Sequence, residues 1–198
     1  MLVPELPPAA PRRMTPALRS LGRAVLSLMG WRFEGNFPNR PKCVIAVAPH
    51  TSNWDFVVGL SAVFALDLRA RFLGKHTLFK GPLGVLMRRV GGIPVDRQRA
   101  DGLVERTVLA FEAEEKLYLA IAPEGTRGRV ERWKSGFHRI ARAACVPIVP
   151  VAFDWSRRTI VIMSPFEPSE SWEEDEPQLL ALFRPEMARR PEGLSAPC

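Results

Sequence analysis

Short apolar runs that do not alternate with polar residues recur along the chain, with helical patterns between them. A strand with one solvated face alternates polar and apolar side chains, so unbroken runs indicate strands buried on both faces. This repetition predicts the α/β class, with a largely parallel central sheet and helices on both faces. The predicted strands are 43–48, 70–74, 91–95, 117–122, 146–153 and 159–163. The predicted helices are 54–65, a segment that begins at Pro82, 101–116 and 135–144.

The organisation expected along the chain is a single domain preceded by two short segments. A chain of 198 residues is long enough to bury one hydrophobic core. Residues 1–14 are rich in proline and are predicted to be a disordered lead-in. Residues 15–33 follow a helical period and are predicted to be an amphipathic helix, which leaves 34–198 as the main domain.

The helix predicted over 15–33 has two interpretations. Five arginines and no acidic residue lie between Arg12 and Arg32. Apolar side chains project to one side of the helix, namely Leu18, Leu21, Val25, Leu28 and Met29. Such a helix either packs on its own domain with exposed arginines or lies in a membrane interface.

Charge narrows the class of partner. The net charge of +7 predicts an anionic partner, which could be nucleic acid, a membrane surface or a phosphorylated substrate. The chain carries no nucleic-acid-binding motif, so nucleic acid is not expected. Its longest apolar run in the N-terminal helix, 24–31, is too short to span a bilayer. We therefore expect a protein that meets a membrane, if at all, from its surface.

The three cysteines do not suggest a metal site. Cys43, Cys145 and Cys198 follow no ligand spacing, and their odd number argues against a disulfide framework. The first two lie in or beside apolar runs and are predicted to be buried free thiols. No metal is expected.

Charged residues follow three of the apolar runs. His50 comes after 43–48, Asp96 and Arg97 after 91–95, and Glu124 after 117–122. Ligands of open α/β sheets bind beyond the carboxyl ends of the strands, so these residues are predicted to face one crevice. Taken singly, the acidic and arginine residues could equally be structural ion pairs.

The spacing of His50 and Asp55 excludes one regular helix, because a step of five residues points about 140° away. The residues between them, from Thr51 to Asn53, favour a helix N-terminus. His50 is therefore predicted to lie in a strand-to-helix turn, with Asp55 bending back from the first helical turn. A base with an orienting carboxylate, in a chain without a Gly-x-Ser-x-Gly motif, suits activation of a substrate hydroxyl.

One further segment and one further residue are expected to have no part in catalysis or binding. The acidic run 167–176 is predicted to be a solvated surface segment. His138 lacks an acidic residue at a matching offset and is predicted to be an ordinary helix residue.

Four ordered blocks resemble the glycerolipid acyltransferases, the lysophosphatidic acid acyltransferase superfamily. "HTSNWD" resembles their His-x4-Asp signature, and "GGIPVDR" their Gly-rich approach to an Asp-Arg pair. "PEGTR" and "VPIVPV" resemble the third and fourth blocks, so that the likeness covers about residues 42–153.

This resemblance implies an O-acyltransferase that uses acyl-CoA or acyl-carrier protein as donor and needs no cofactor. The acceptor it implies is a lysophospholipid, above all 1-acylglycerol 3-phosphate, reached peripherally at the cytoplasmic face of a membrane. A non-catalytic lipid-binding relative, or an enzyme for lyso-ornithine lipid or a glycolipid, is the alternative. In this reading His50 is the general base and Asp55 its orienting partner. The acceptor-binding residues implied are Arg97, Glu124, Gly125, Thr126 and Arg127, with Lys75 and Lys134 as candidates for the donor phosphates.

Overall fold

The computed structural model describes residues 2–96, 102–126, 128, 130 and 132–191. Within these ranges, one sheet has the strand order β1-β7-β6-β2-β5-β3-β4. The strands are β1 (Arg32–Glu34), β2 (Lys42–Val47), β3 (Ala70–Lys75), β4 (Gly92–Val95), β5 (Leu117–Ile121), β6 (Ile148–Asp154) and β7 (Thr159–Ile162). The helices are α1 (Pro16–Leu28), α2 (Asn53–Ala65), α3 (Gly81–Arg89), α4 (Leu103–Ala113), α5 (Gly136–Ala143) and α6 (Trp172–Leu180), with 3-10 turns at His76–Phe79 and Pro185–Met187.

The predicted parallel sheet is confirmed. Strands β2 to β6 all run in one direction, whereas β7 is antiparallel to β6 and β1 is parallel to β7. The carboxyl ends of β2 to β6 therefore meet at one edge of the sheet, which we call the site edge.

Helices cover both faces of the sheet, as predicted. Alternate side chains of β2 enter two separate cores, Cys43 and Ile45 on one face and Val44 and Ala46 on the other. Helices α1 and α2 pack on the first face, and α4, α5 and α6 pack on the second. The unbroken apolar runs thus arise because both faces of the central strands are buried.

Helix α1 packs on the domain and also exposes apolar side chains. It approaches α2 at Gly22, where an added Cβ would lie 2.5 Å from the carbonyl oxygen of Ser61. Leu26 is fully buried beside this contact, while Leu21 is 54% and Leu28 90% exposed. Both interpretations of the arginine-rich helix are therefore compatible with its position, since its packed face does not use all of its leucines.

The prediction of a disordered lead-in over 1–14 is wrong for the described residues 2–14. Leu6 and Ala10 are buried in the core that α1 and α2 cover. The backbone N–H of Arg13 donates to the carbonyl of Asp67 at 2.9 Å. Prolines fix the backbone without preventing packing, and here they lie in a segment with one hydrogen-bonded turn, from Pro7 to Ala10, that packs on the domain.

The prediction of a solvated surface over 167–176 is also wrong in part. The segment enters α6, whose N-cap Ser171 accepts a hydrogen bond from the Glu174 N–H through its side chain. Acidic residues favour a helix N-terminus because the helix dipole is positive there. Two of them, Asp175 and Glu176, are buried against α5 and its preceding loop through His138 and Arg132.

Two smaller predictions also fail. His138 is not an ordinary helix residue, because it is 2% exposed and its Nε2 lies 2.8 Å from Asp175 Oδ2. Cys43 is buried, and burial raises the pKa of its thiol, but Cys145 is exposed. Cys198 lies outside the described residues.

Candidate active site

The turn between β2 and α2 brings His50 and Asp55 together as predicted. Ser52 caps α2 by accepting from the Trp54 N–H at 3.2 Å, and its own N–H donates to Asp55 Oδ2 at 2.7 Å. This reciprocal capping box bends the Asp55 side chain back toward the turn. Asp55 Oδ2 thereby lies 3.5 Å from His50 Nδ1.

The two members of the pair differ in exposure. Asp55 is 1% exposed, while the His50 side chain is 19% exposed and lines a cavity. With Nδ1 toward Asp55, the ring presents Nε2 as its second nitrogen. A distance of 3.5 Å is long for a hydrogen bond, and catalytic hydrogen bonds often shorten only when substrate binds. The arrangement is that of a base with a buried orienting carboxylate.

Glu124 lies directly behind the pair, in the loop after β5. Its carboxylate accepts the backbone N–H of His50 at 2.9 and 3.1 Å. The pKa of Glu124 is raised to about 7, mainly by burial; the hydrogen bond from the His50 backbone opposes the rise, and the nearby Asp55 charge contributes to it. Its described contact is thus with the backbone of His50.

Gly125 and Lys134 meet beside Glu124. Gly125 has a φ of +66°, and an added Cβ would lie 3.1 Å from Cδ of Lys134. Only glycine takes this conformation without strain while leaving the lysine its position. Thr126 accepts the Gly128 N–H at 3.3 Å through its hydroxyl.

The cavity beside His50 is large and mostly apolar. Its volume is ≈ 1190 Å³, and it extends from the site edge under α2 along the sheet face. Its lining includes four sequence-predicted site residues besides the pair, namely Lys75, Gly125, Thr126 and Lys134. The structure therefore brings these residues to one crevice.

Arg97 and Arg127 lie outside the described residues. Their neighbour Asp96 is described and lies 3.9 Å from Nδ1 of His76, which follows β3. The end of β4 therefore reaches the site edge at the place that the sequence predicted.

The sequence missed two residues of this site. Trp155 follows β6, and its indole N–H donates to Asp55 Oδ1 at 2.8 Å. Arg189 stacks over the rings of Trp54 and Trp155, with its guanidinium carbon 5.1 and 4.7 Å from the two ring centres. Like His50 and Glu124, Trp155 follows an apolar run, so its place at the site could have been predicted from the sequence in the same way. No comparable signal marks Arg189.

Helices that could span a membrane and clusters that could hold a metal ion are both absent from the described part of the chain. In 2–96, 102–126 and 132–191, no helix has the length and apolar character that crossing a bilayer requires. Across the same stretches, no three His, Cys, Asp or Glu side chains converge where they could hold a metal ion.

Known proteins resemble the chain in sequence. A sequence model of the family described as Acyltransferase matches residues 31–154, which contain His50, Asp55 and Glu124. The human 1-acyl-sn-glycerol-3-phosphate acyltransferase beta is 35% identical over 160 residues, 69% of this chain and 56% of that protein. The 1-acyl-sn-glycerol-3-phosphate acyltransferase of Streptococcus pneumoniae is 28% identical over 140 residues, 66% of this chain and 52% of that protein. The chain thus spans about half the length of the curated relatives it matches.

One solved structure resembles the fold. It is the 1-acyl-sn-glycerophosphate acyltransferase PlsC from Thermotoga maritima, with a TM-score of 0.62 and 20% sequence identity. The match covers 84% of this chain and 75% of that one.

Proposed function

The chain belongs to the Acyltransferase family, and on that premise we propose that it is an O-acyltransferase. It would move a fatty acyl group from a thioester donor, acyl-CoA or acyl-carrier protein, to a hydroxyl of a lysophospholipid-type acceptor. The printed names of the two curated relatives support 1-acylglycerol 3-phosphate as that acceptor. The observation that carries the proposal is the His50–Asp55 pair at the mouth of a mostly apolar cavity.

His50 acts as the general base in this proposal. Its Nε2 takes the proton of the acceptor hydroxyl while the hydroxyl oxygen attacks the thioester carbonyl. Asp55 keeps the other proton on Nδ1 and stabilises the imidazolium that forms. When the tetrahedral intermediate collapses, the C–S bond breaks and the imidazolium returns the proton to the leaving thiolate. The products are the ester and the free thiol.

The transfer is direct, without an acyl-enzyme. Cys43 lies near the amino end of β2, at the opposite end of the strand from His50. Mass spectrometry after incubation with acyl-CoA alone is expected to find no adduct. An adduct that the acceptor discharges at the rate of turnover would contradict direct transfer.

Cationic side chains around the cavity would hold the anionic parts of the substrates. Family resemblance and the fork geometry of guanidinium support Arg97 and Arg127 for the acceptor phosphate. Lys75 and Lys134 line the cavity and suit the phosphates of the donor. Arg127→Lys keeps the charge but loses the fork, so it is expected to raise the acceptor KM more than the donor KM.

Exposed leucines and an acid-free basic stretch of the sequence support action at an anionic membrane, and the family resemblance suggests its cytoplasmic face. Leu21 and Leu28 project outward from α1, and Leu83, at the cavity, and Leu86 are 51% exposed on α3. The sequence from 68 to 95 contains basic residues but no Asp or Glu. Such a surface binds anionic lipid through buried apolar area and charge together.

Vesicle sedimentation tests this membrane contact. Leu21→Glu/Leu28→Glu is expected to weaken binding to vesicles that contain phosphatidylglycerol. The matched control is Leu109→Glu, since Leu109 is 61% exposed on α4. Deletion of the N-terminal helix is unsuitable because it removes the buried Leu26. Equal, salt-insensitive binding by all three proteins would contradict a membrane role for α1.

A thiol-release assay tests the activity itself. The purified protein is given acyl-CoA or acyl-carrier protein with a panel of 1-acylglycerol 3-phosphate, glycerol 3-phosphate, lyso-ornithine lipid and a glycolipid. Transfer to 1-acylglycerol 3-phosphate is the expected result. Preference for another acceptor would correct the substrate, and lipid binding without thiol release would favour a non-catalytic relative.

A further inference from the structure

Asp55 has two carboxylate oxygens, and the structure gives each a different partner. Oδ2 accepts the Ser52 N–H at 2.7 Å and faces His50 Nδ1 at 3.5 Å. Oδ1 accepts the indole N–H of Trp155 at 2.8 Å. The capping box holds one oxygen and the indole N–H holds the other, so the two contacts together limit rotation of the carboxylate about its last bond. Trp155 thereby helps to fix the plane of the carboxylate and to keep an oxygen toward His50 Nδ1.

The Trp155 ring is itself held from two sides. The edge of Trp31 meets it at a ring-centre distance of 4.9 Å and an angle of 89°. On another side the Arg189 guanidinium lies 4.7 Å from the ring centre, and it also covers Trp54 of α2. Cation–π contact and edge-to-face packing both favour one fixed ring orientation.

The C-terminal segment that carries Arg189 is tied to the same turn. The backbone N–H of Trp155 donates to the Met187 carbonyl at 3.1 Å, and the backbone N–H of Arg190 donates to the Thr51 hydroxyl at 3.2 Å. Arg189 Nη1 also donates to the Ser52 hydroxyl at 3.4 Å. These contacts join a segment more than 130 residues away along the chain to the loop of the His50–Asp55 pair.

We propose that Trp155 is a positioning residue for the His50–Asp55 pair, and that Arg189 holds the Trp155 indole in the orientation that this task requires. The inference rests on the proposed function, in which His50 needs its proton on Nδ1. A carboxylate fixed by Ser52 and Trp155 presents one oxygen to that proton and so selects the tautomer with a bare Nε2. A carboxylate that turns would allow the other tautomer, which cannot accept the hydroxyl proton at Nε2.

Trp155→Phe removes the indole N–H and keeps an aromatic ring against Trp31. The expected result is a kcat lower by roughly 10- to 100-fold, comparable to the loss of activity when a hydrogen bond that orients a metal ligand is removed. Both KM values should stay within about twofold, because Trp155 would act on the transition state alone. Trp172→Phe is the matched control, since Trp172 packs on the opposite face against Phe137 and His138. An unchanged kcat in folded Trp155→Phe would overturn the proposal.

Arg189→Met tests the proposed role of Arg189 without removing the hydrogen bond from the Trp155 indole to Asp55. It keeps an unbranched apolar side chain but loses the planar charge over the two rings. We expect a smaller fall in kcat, and no additional fall when the substitution is made in Trp155→Phe. Additive effects in the double variant would show that Arg189 does not act through Trp155 and would overturn that role.

The tautomer of His50 gives a readout that does not depend on turnover. The ¹⁵N shifts of its ring nitrogens, assigned by comparison with His50→Ala, should show one tautomer in the wild type and in Trp172→Phe. A mixture is expected in Trp155→Phe and, to a smaller extent, in Arg189→Met. Identical spectra in all four proteins would overturn the positioning role even if kcat fell. A wild type with the single tautomer but no transfer would contradict the proposed function instead.

Discussion

The molecule contains two histidine–aspartate pairs that lie in different surroundings. His138 of α5 and Asp175 of α6 are 2.8 Å apart, and their side chains are 2% and 3% exposed. His50 and Asp55 are 3.5 Å apart, and only the aspartate is fully buried. The tighter pair is the one that does not line the cavity, so a short distance alone does not identify a catalytic pair. What distinguishes the His50 pair is a second ring nitrogen that a substrate can reach.

The pKa values of two carboxylates, Asp175 beside His138 and Glu124 beside His50, are also shifted in opposite directions. Burial raises the pKa of Asp175, but hydrogen bonds from His138 and Ser169 outweigh it and leave the pKa below its usual value. At the other site, the pKa of Glu124 is raised to about 7, mainly by burial and to a lesser extent by the Asp55 charge. One group is stabilised as an anion, whereas the other costs stability as an anion. The surroundings of Asp175 favour a structural ion pair, whereas a raised pKa such as that of Glu124 is common at functional sites.

The largest expected difference between the pairs is in catalysis. His50→Ala should lower kcat by about 10²- to 10⁴-fold, the usual contribution of a positioned general base. His138→Phe should leave the kcat of the folded protein within about threefold, because it removes no group from the cavity. Steady-state thiol release at a temperature where circular dichroism shows both variants folded is the measurement. A His50→Ala enzyme within tenfold of wild type would end the assignment of His50 as the base.

The second difference is in stability and runs the other way. His138→Phe takes from the buried Asp175 its side-chain partner and leaves it the Ser169 N–H, and loss of one partner from a buried pair typically costs about 3–5 kcal/mol. His50→Ala should cost much less, because its side chain is partly solvated. Urea unfolding measures both. Adding Asp175→Leu to His138→Phe should recover part of the loss, since apolar residues can replace a buried pair. If the single and double variants are equally unstable, the pair is not the source of the effect.

Contacts between residues close together in the chain could be predicted from the sequence, whereas contacts between distant residues could not. The turn from His50 to Asp55 is local, so a five-residue spacing and the Ser52 cap were enough to predict it. The parallel sheet was predictable because burial on both faces leaves a mark within each strand. The His138–Asp175 pair spans 37 residues, and neither residue's neighbours announce the other. Trp155 and Asp55 are 100 residues apart, and only the fold brings them together.

A third prediction concerns the stability that the buried Glu124 carboxylate costs the folded protein at neutral pH. The pKa of Glu124 is raised in the folded protein, so the wild type binds a proton that the unfolded chain has released between pH 4.5 and about 7. As pH rises through this window, the free energy of unfolding of the wild type should therefore fall, and that of Glu124→Gln should not. The variant should gain on the wild type by up to about 3 kcal/mol by pH 7.5, at about 1.4 kcal/mol per pKa unit. Unfolding free energies at a series of pH values test this, and a constant difference would contradict the raised pKa.

The smallest expected effect is the acid sensitivity of the structural pair. The folded-state pKa of Asp175 lies below its unfolded value of 3.8, so its stabilisation is complete above that value and is lost as pH falls through the folded pKa. Asp175→Asn can still accept from His138 and from the Ser169 N–H, which donates to Asp175 Oδ2 at 2.6 Å in the wild type. The variant should therefore fold, with a moderate loss of stability at neutral pH. Because the asparagine does not titrate, the gap between wild type and variant should narrow below about pH 4. The charged neighbours on and beside α5 and α6, the pairs Arg132–Glu176 and Arg142–Glu170, are present in both proteins and cancel in the difference. A gap that stays constant down to pH 2 would mean that Asp175 stabilises α6 through hydrogen-bond geometry alone, and the electrostatic contrast between the two pairs would then rest on Glu124.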